Sequence, residues 1–157
     1  MIENFNAQAK AINDDFLALT GLEFLHKAIL SGDQSPMARL LNIRVVAAGN
    51  GTAQIEGVLS QKFYNPMMRV HGGFIATLID SALGCAVLTK MAVGIGVGTV
   101  NLNVQFVRKI EVSNGPLIAT GTVLHAGRTM LTAEAKVADS AGLLYAHGTG
   151  TFLVYPK

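Results

Sequence analysis

The residues best suited to chemistry lie between positions 65 and 87, NPMMRVHGGFIATLIDSALGCAV. At their centre stands a lone acid, Asp80, set among Ala76, Ile79, Ala82 and Leu83. Burial there would raise its pKa, and loss of water would sharpen it as a base or a nucleophile. Nine positions earlier comes His71, followed by Gly72 and Gly73, and from there to Lys90 nearly every residue is apolar. The run predicts a helix over 72–90, about 28 Å long at 1.5 Å per residue. A helix opening on two glycines exposes unpaired backbone N–H groups at the positive end of its dipole, where a negative oxygen is stabilised. Gly72 and Asp80 would lie about 12 Å apart along that helix, so one carbonyl group cannot touch both. If they serve one reaction, Gly72 of one subunit must meet Asp80 of another, with the two helices close and opposed.

The rest of the chain supplies what must hold this helix. Phe5, Ala9, Ile12, Phe16 and Leu19 recur at helical spacing until Thr20-Gly21 interrupts them, and a second helix is predicted over 22–30. After Ser31-Gly32-Asp33, Ser35-Pro36 caps and opens a short helix through Leu41. These pieces read as a packing arm over 1–34, ahead of one domain over 35–157. From Ile43 the period becomes two. Strands over 43–48 and 52–59 flank Gly49-Asn50-Gly51, which is hairpin chemistry. Beyond the long helix four strands are predicted. The first, 99–108, places Val100, Leu102, Val104 and Phe106 on one face and Asn101, Asn103 and Gln105 on the other. The second and third, 117–125 and 128–138, join at Ala126-Gly127, and the fourth, 143–154, follows a turn at 139–142. Gly121, Gly148 and Gly150 mark places where the sheet bends or another backbone comes close. A hairpin, one helix and four strands without βαβ alternation make an α+β fold. A helix apolar on nearly every side must be wrapped, so the antiparallel sheet should curl around it.

Composition narrows the function. Half of the 157 residues are apolar and only 14% are charged, which excludes a disordered chain and suggests that a protein interface replaces part of the charged surface. Twelve Lys and Arg against ten Asp and Glu leave +2, without a run of five like charges. An electrostatic grip on nucleic acid or on a membrane surface is therefore not expected. The basic residues fit local contacts to a small anionic ligand. One cysteine, Cys85, cannot form an internal disulfide and reads as core. The opening MIENFNAQAK lacks the pattern of a secretion signal, so cytoplasm is the expected compartment. By length alone the run 72–89 could span a bilayer, but Asp80 at its middle would cost about 2.5–3.5 kcal/mol. A helix buried in a soluble fold is the stronger reading. His26, His125 and His147 lack metal-ligand spacing, and no metal is expected.

Asn65-Pro66, then Val70-His71-Gly72-Gly73 with Asp80, and later Gly98-Thr99-Val100-Asn101-Leu102-Asn103 with Phe106 and Arg108 resemble the hot-dog-fold acyl-CoA thioesterases of the phenylacetate-pathway (PaaI-like) type. The similarity runs over roughly residues 36–154, and Gly127-Arg128-Thr129 in a hairpin adds to it. The resemblance implies a sheet wrapped around the central helix, a homodimer whose sheets join edge to edge, often a dimer of dimers, and active sites at the dimer interface. It gives Asp80 the place of the nucleophile or general base and Gly72 that of the backbone donor to the thioester oxygen. Asn65 takes the place of a polar side chain holding the attacking water or the acyl carbonyl, and Thr99 that of a hydroxyl near the site. Gly84 stands where some relatives place a hydroxyl that positions water, leaving Ser81 or Thr99 to supply it. His71 is read as fixing the turn into the helix, with Gly73 and Thr129 as further contacts. Arg128 and Arg108, with Lys109 or Lys90, are candidates for the phosphates of coenzyme A, and Met67-Met68 for the acyl pocket. No organic cofactor is implied; coenzyme A belongs to the substrate.

Two other activities compete. An acyl hydratase on this fold would pair a histidine before Phe-Pro with an acid, and no such pattern occurs. A non-catalytic acyl-CoA binder or sensor would keep the pocket without the reaction.

Overall fold

The computed structural model describes residues 2–156, and side chains from residue 10. Its elements are α1 (Ile2–Ala18), α2 (Gly21–Ser31), α3 (Pro36–Leu40), β1 (Ile43–Gly49), β2 (Thr52–Gly57), α4 (Gly72–Leu88), β3 (Ile95–Phe106), β4 (Leu117–Ala126), β5 (Met130–Ala138) and β6 (Leu144–Pro156). Every predicted helix and strand is present, with ends shifted by a few residues. Of the arm's predicted stripe, the side chains of Phe5 and Ala9 lie outside the described residues.

The six strands form one antiparallel sheet in the order β1-β2-β4-β5-β6-β3. α4 packs against all six, which a flat sheet could not allow. Its Leu78, Ile79, Ala82, Leu83, Ala86 and Val87 are wholly buried. Cutting back a leucine or isoleucine there would cost about 2–5 kcal/mol. Gly121 on β4 shows how tightly the sheet closes, because a Cβ there would collide with the Ala82 carbonyl on the helix. Among the described residues, no helix is long and apolar enough to cross a membrane.

The arm is docked through α2. Thr20 caps that helix, accepting from the Glu23 N–H while the Glu23 carboxylate accepts from the Thr20 N–H. Gly21 sits so close to the end of α4 that a Cβ would strike the Leu88 carbonyl. Its N–H donates to the Met91 carbonyl at 3.0 Å. His26 Nε2 lies 3.1 Å from the Ala48 carbonyl on β1, and Leu25 is buried in the main core.

One expectation is corrected. Alternation along β3 is interrupted by a bulge, with Thr99 opposite Phe152 and Asn101 opposite Thr151, so Val100 is the extra residue. Val100 therefore does not share a face with Leu102, Val104 and Phe106, and it is exposed. The bulge places Thr99, through its partner Phe152, on the helix-facing side. The central helix inside a curled antiparallel sheet is the hot-dog arrangement implied by the resemblance.

Candidate active site

α4 opens as its sequence demands. His71 is extended at the cap, and its Nδ1 accepts from the Gly73 N–H at 2.8 Å, which leaves the ring proton on Nε2. Its backbone N–H donates to Phe63 at 2.7 Å, closing the loop that carries Asn65. The exposed His71 ring thus serves the helix start, as expected. Gly73 is exposed and its N–H is taken. The Gly72 N–H donates to no acceptor among the described residues, and a Cβ on Gly72 would lie 3.3 Å from the Phe106 ring.

Asn65 is held rigidly. Its Oδ1 accepts from the Met67 and Arg69 N–H groups at 3.0 and 3.2 Å, so the amide oxygen belongs to the turn. The Nδ2 end has no partner among the described residues. A role as donor fits; a role as acceptor would require opening the turn.

Two turns along α4, Asp80 is half-buried, not enclosed as its apolar neighbours in sequence suggested. Thr99 Oγ1 donates to its Oδ1 at 3.0 Å. With Gly84 offering no hydroxyl, the hydroxyl on the acid comes from the bulged strand. Both groups lie on the wall of a largely apolar cavity of about 350 Å³, shared with Ser81, Gly84 and Cys85. Burial, reinforced by the Asp80 charge, pushes the Cys85 thiol up to about 12. Cys85 is a half-buried wall residue, and a thiol held that high is a weak nucleophile.

Several candidates stand apart from this cavity in the single chain. Gly72, Gly73, His71 and Asn65 do not line it, as expected for groups about 12 Å away along the helix. Arg108 lies beyond Phe106, at the Gly72 end of the sheet, where its charge acts on Tyr145. Arg128 and Thr129 lie at the opposite end, next to Met130, whose sheet neighbours are Leu153 and then Gly98. Lys90 donates to Asn50 in the hairpin turn, and Lys109 pairs with Glu111. Met67 and Met68 are exposed at the loop tip and do not line this cavity in the single chain.

Sequence reasoning treated the arm as packing alone. The structure places its Ile12, Phe16, Phe24, Leu25 and Ala28 on the same cavity as Asp80. The spacing of Ile12 and Phe16 shows in the sequence; what that stripe faces does not.

The profile of the thioesterase superfamily matches residues 67–146. A protein named as an esterase from Halobacterium salinarum is 33% identical over 134 residues, 78% of this chain and 87% of its own length. Among solved structures, a thioesterase-superfamily protein is 32% identical with a TM-score of 0.71, covering 85% of this chain and 98% of that one. Escherichia coli PaaI, from the phenylacetic acid degradation operon, is 20% identical with a TM-score of 0.71 over 80% of this chain and 88% of its own, a likeness of fold. By profile, sequence and fold together, this chain belongs to the thioesterase superfamily.

Proposed function

We propose that the protein is an acyl-CoA thioesterase whose sites form between two subunits. The observation that carries this reading is Asp80, oriented by Thr99 on the wall of an apolar cavity, with the unpaired Gly72 N–H on the same helix but out of its reach. Water adds to the thioester carbonyl, the C–S bond breaks, and acid and free thiol leave. Asp80 either takes the proton from that water or attacks the carbonyl itself to give an anhydride that water then opens. The Gly72 N–H of the second subunit holds the oxygen on which charge develops.

The dimer reading draws support from β3. It is an edge strand of 12 residues without a charge or a proline, the devices that usually protect a bare edge. Thr99 is tied to Asp80 and Phe106 lies against Gly72. An antiparallel join that sets Thr99 opposite the partner's Phe106 would bring Asp80 to the partner's Gly72, with the dyad between Leu102 and Asn103. The same join would bring Arg128 and Thr129 towards the partner's Arg108, a pair of guanidinium groups suited to the phosphates of coenzyme A.

The test is release of thiol from a panel of aryl- and fatty acyl-CoA substrates by the wild type and Asp80→Asn. The substitution should lower kcat by roughly two to four orders of magnitude with the dimer intact. An unchanged rate would remove Asp80 from the mechanism. Tight binding of the panel without thiol release would favour the binder reading.

A further inference from the structure

We infer that the N-terminal arm forms the closed end of the acyl pocket and selects unbranched medium-chain acyl groups over short aryl ones; this rests on the thioesterase reading. The cavity that begins at Asp80 and Thr99 is not finished by the sheet and the central helix. Ile12 and Phe16 from α1 with Phe24, Leu25 and Ala28 from α2 also line it, beside the polar Asp15, Lys27, Gln34 and Arg44. Phe16 and Phe24 meet edge to face, with ring centroids 5.4 Å apart at 77°, a rigid apolar stop. Lys27 bridges to Asp15 at 2.7 Å and ties the two helices beside that stop.

Gly84 supplies a separate observation. A glycine inside a helix weakens it, so an ordinary packing position favours alanine. Here the nearest atom to a Cβ is on the Phe152 ring at 3.8 Å, an ordinary contact. Packing within the chain therefore does not require the glycine. Gly84 lies one turn beyond Asp80 on the same helix face and lines the cavity. Its missing side chain leaves a passage from the acid towards the arm.

Size indicates the occupant. The cavity, of about 350 Å³, takes in Asp80 and Thr99 as well as both arm helices. A ring carried on one methylene would leave the Phe16–Phe24 end unfilled, whereas a chain of about ten carbons would reach it. The arm lies outside the segment matched by the superfamily profile.

The experiment measures kcat/KM for butyryl-, decanoyl-, tetradecanoyl- and phenylacetyl-CoA with the full-length wild type, Gly84→Leu and Phe16→Ala. The wild type should prefer decanoyl- to phenylacetyl-CoA. Gly84→Leu should lower the decanoyl-to-butyryl ratio about tenfold or more, the scale of a few methylenes in an apolar pocket. Phe16→Ala should move the optimum towards tetradecanoyl-CoA. Hydrolysis with ratios unmoved in both variants, or a preference for phenylacetyl-CoA, overturns the inference and leaves the thioesterase reading standing. No hydrolysis of any substrate by the wild type overturns both.

Discussion

The two ends of α4 differ in what they lack. Around Asp80 the chain has built a cavity, an orienting hydroxyl and a largely apolar wall, but the free backbone N–H of the helix start does not line it. At Gly72 it has an unpaired N–H and an anchored Asn65, both outside the cavity that holds Asp80. Each end holds what the other needs, and a rigid helix keeps them about 12 Å apart. In the proposed reaction the two half-sites on one rod make a working centre only when a second rod lies alongside in the opposite sense.

The sharpest break of that comparison removes the second rod. Asn101→Lys with Asn103→Lys would place four like charges near the proposed join, which β3 now leaves uncharged. Sedimentation should show monomers, and thiol release should fall to background while circular dichroism stays native. Full activity in a monomer would refute the shared site.

A smaller effect is expected from the donor alone. Gly72→Pro deletes one N–H at the first helical position, where proline is tolerated, and His71 already has the extended backbone that must precede it. The rate should drop about 100- to 1,000-fold. Mixed with Asp80→Ala subunits, these chains should regain activity, because one of the two sites in each hybrid dimer is then whole. No rescue in hybrids shown to form would separate Gly72 from Asp80.

The smallest effect sharpens the Asp80 end. Because Cys85 is raised to about 12, the folded chain should resist iodoacetamide at pH 8 while the unfolded chain reacts. The sign for stability follows from proton binding. Below the ordinary thiol range both states are protonated and the contribution is constant. As pH rises beyond that range the unfolded state loses its proton first, so stability falls towards pH 12. Rapid alkylation of the native chain would mean that the cavity wall is looser than described.

Much of this was legible in the residues because it is local. The apolar run of α4, the Asn-Gly hairpin, the Ser35-Pro36 cap and the spacing from His71 to Asp80 depend only on near neighbours, and all are present in the fold. Helical rise also sets Gly72 and Asp80 about 12 Å apart, the separation on which the proposed two-subunit site rests. Val100 was misplaced because a bulge is a choice of register against β6, and strict alternation contains no sign of it.

Sequence alone therefore determined the central helix, the acid and amide upon it and the α+β class, since each follows from periodicity, capping or composition. Tertiary structure decided that Thr99 turns towards Asp80, that Asn65 spends its oxygen on its own turn, and that the arm faces the cavity. Those outcomes rest on strand register and on docking between segments distant in the chain, and non-local packing of that kind leaves no periodic trace among adjacent residues.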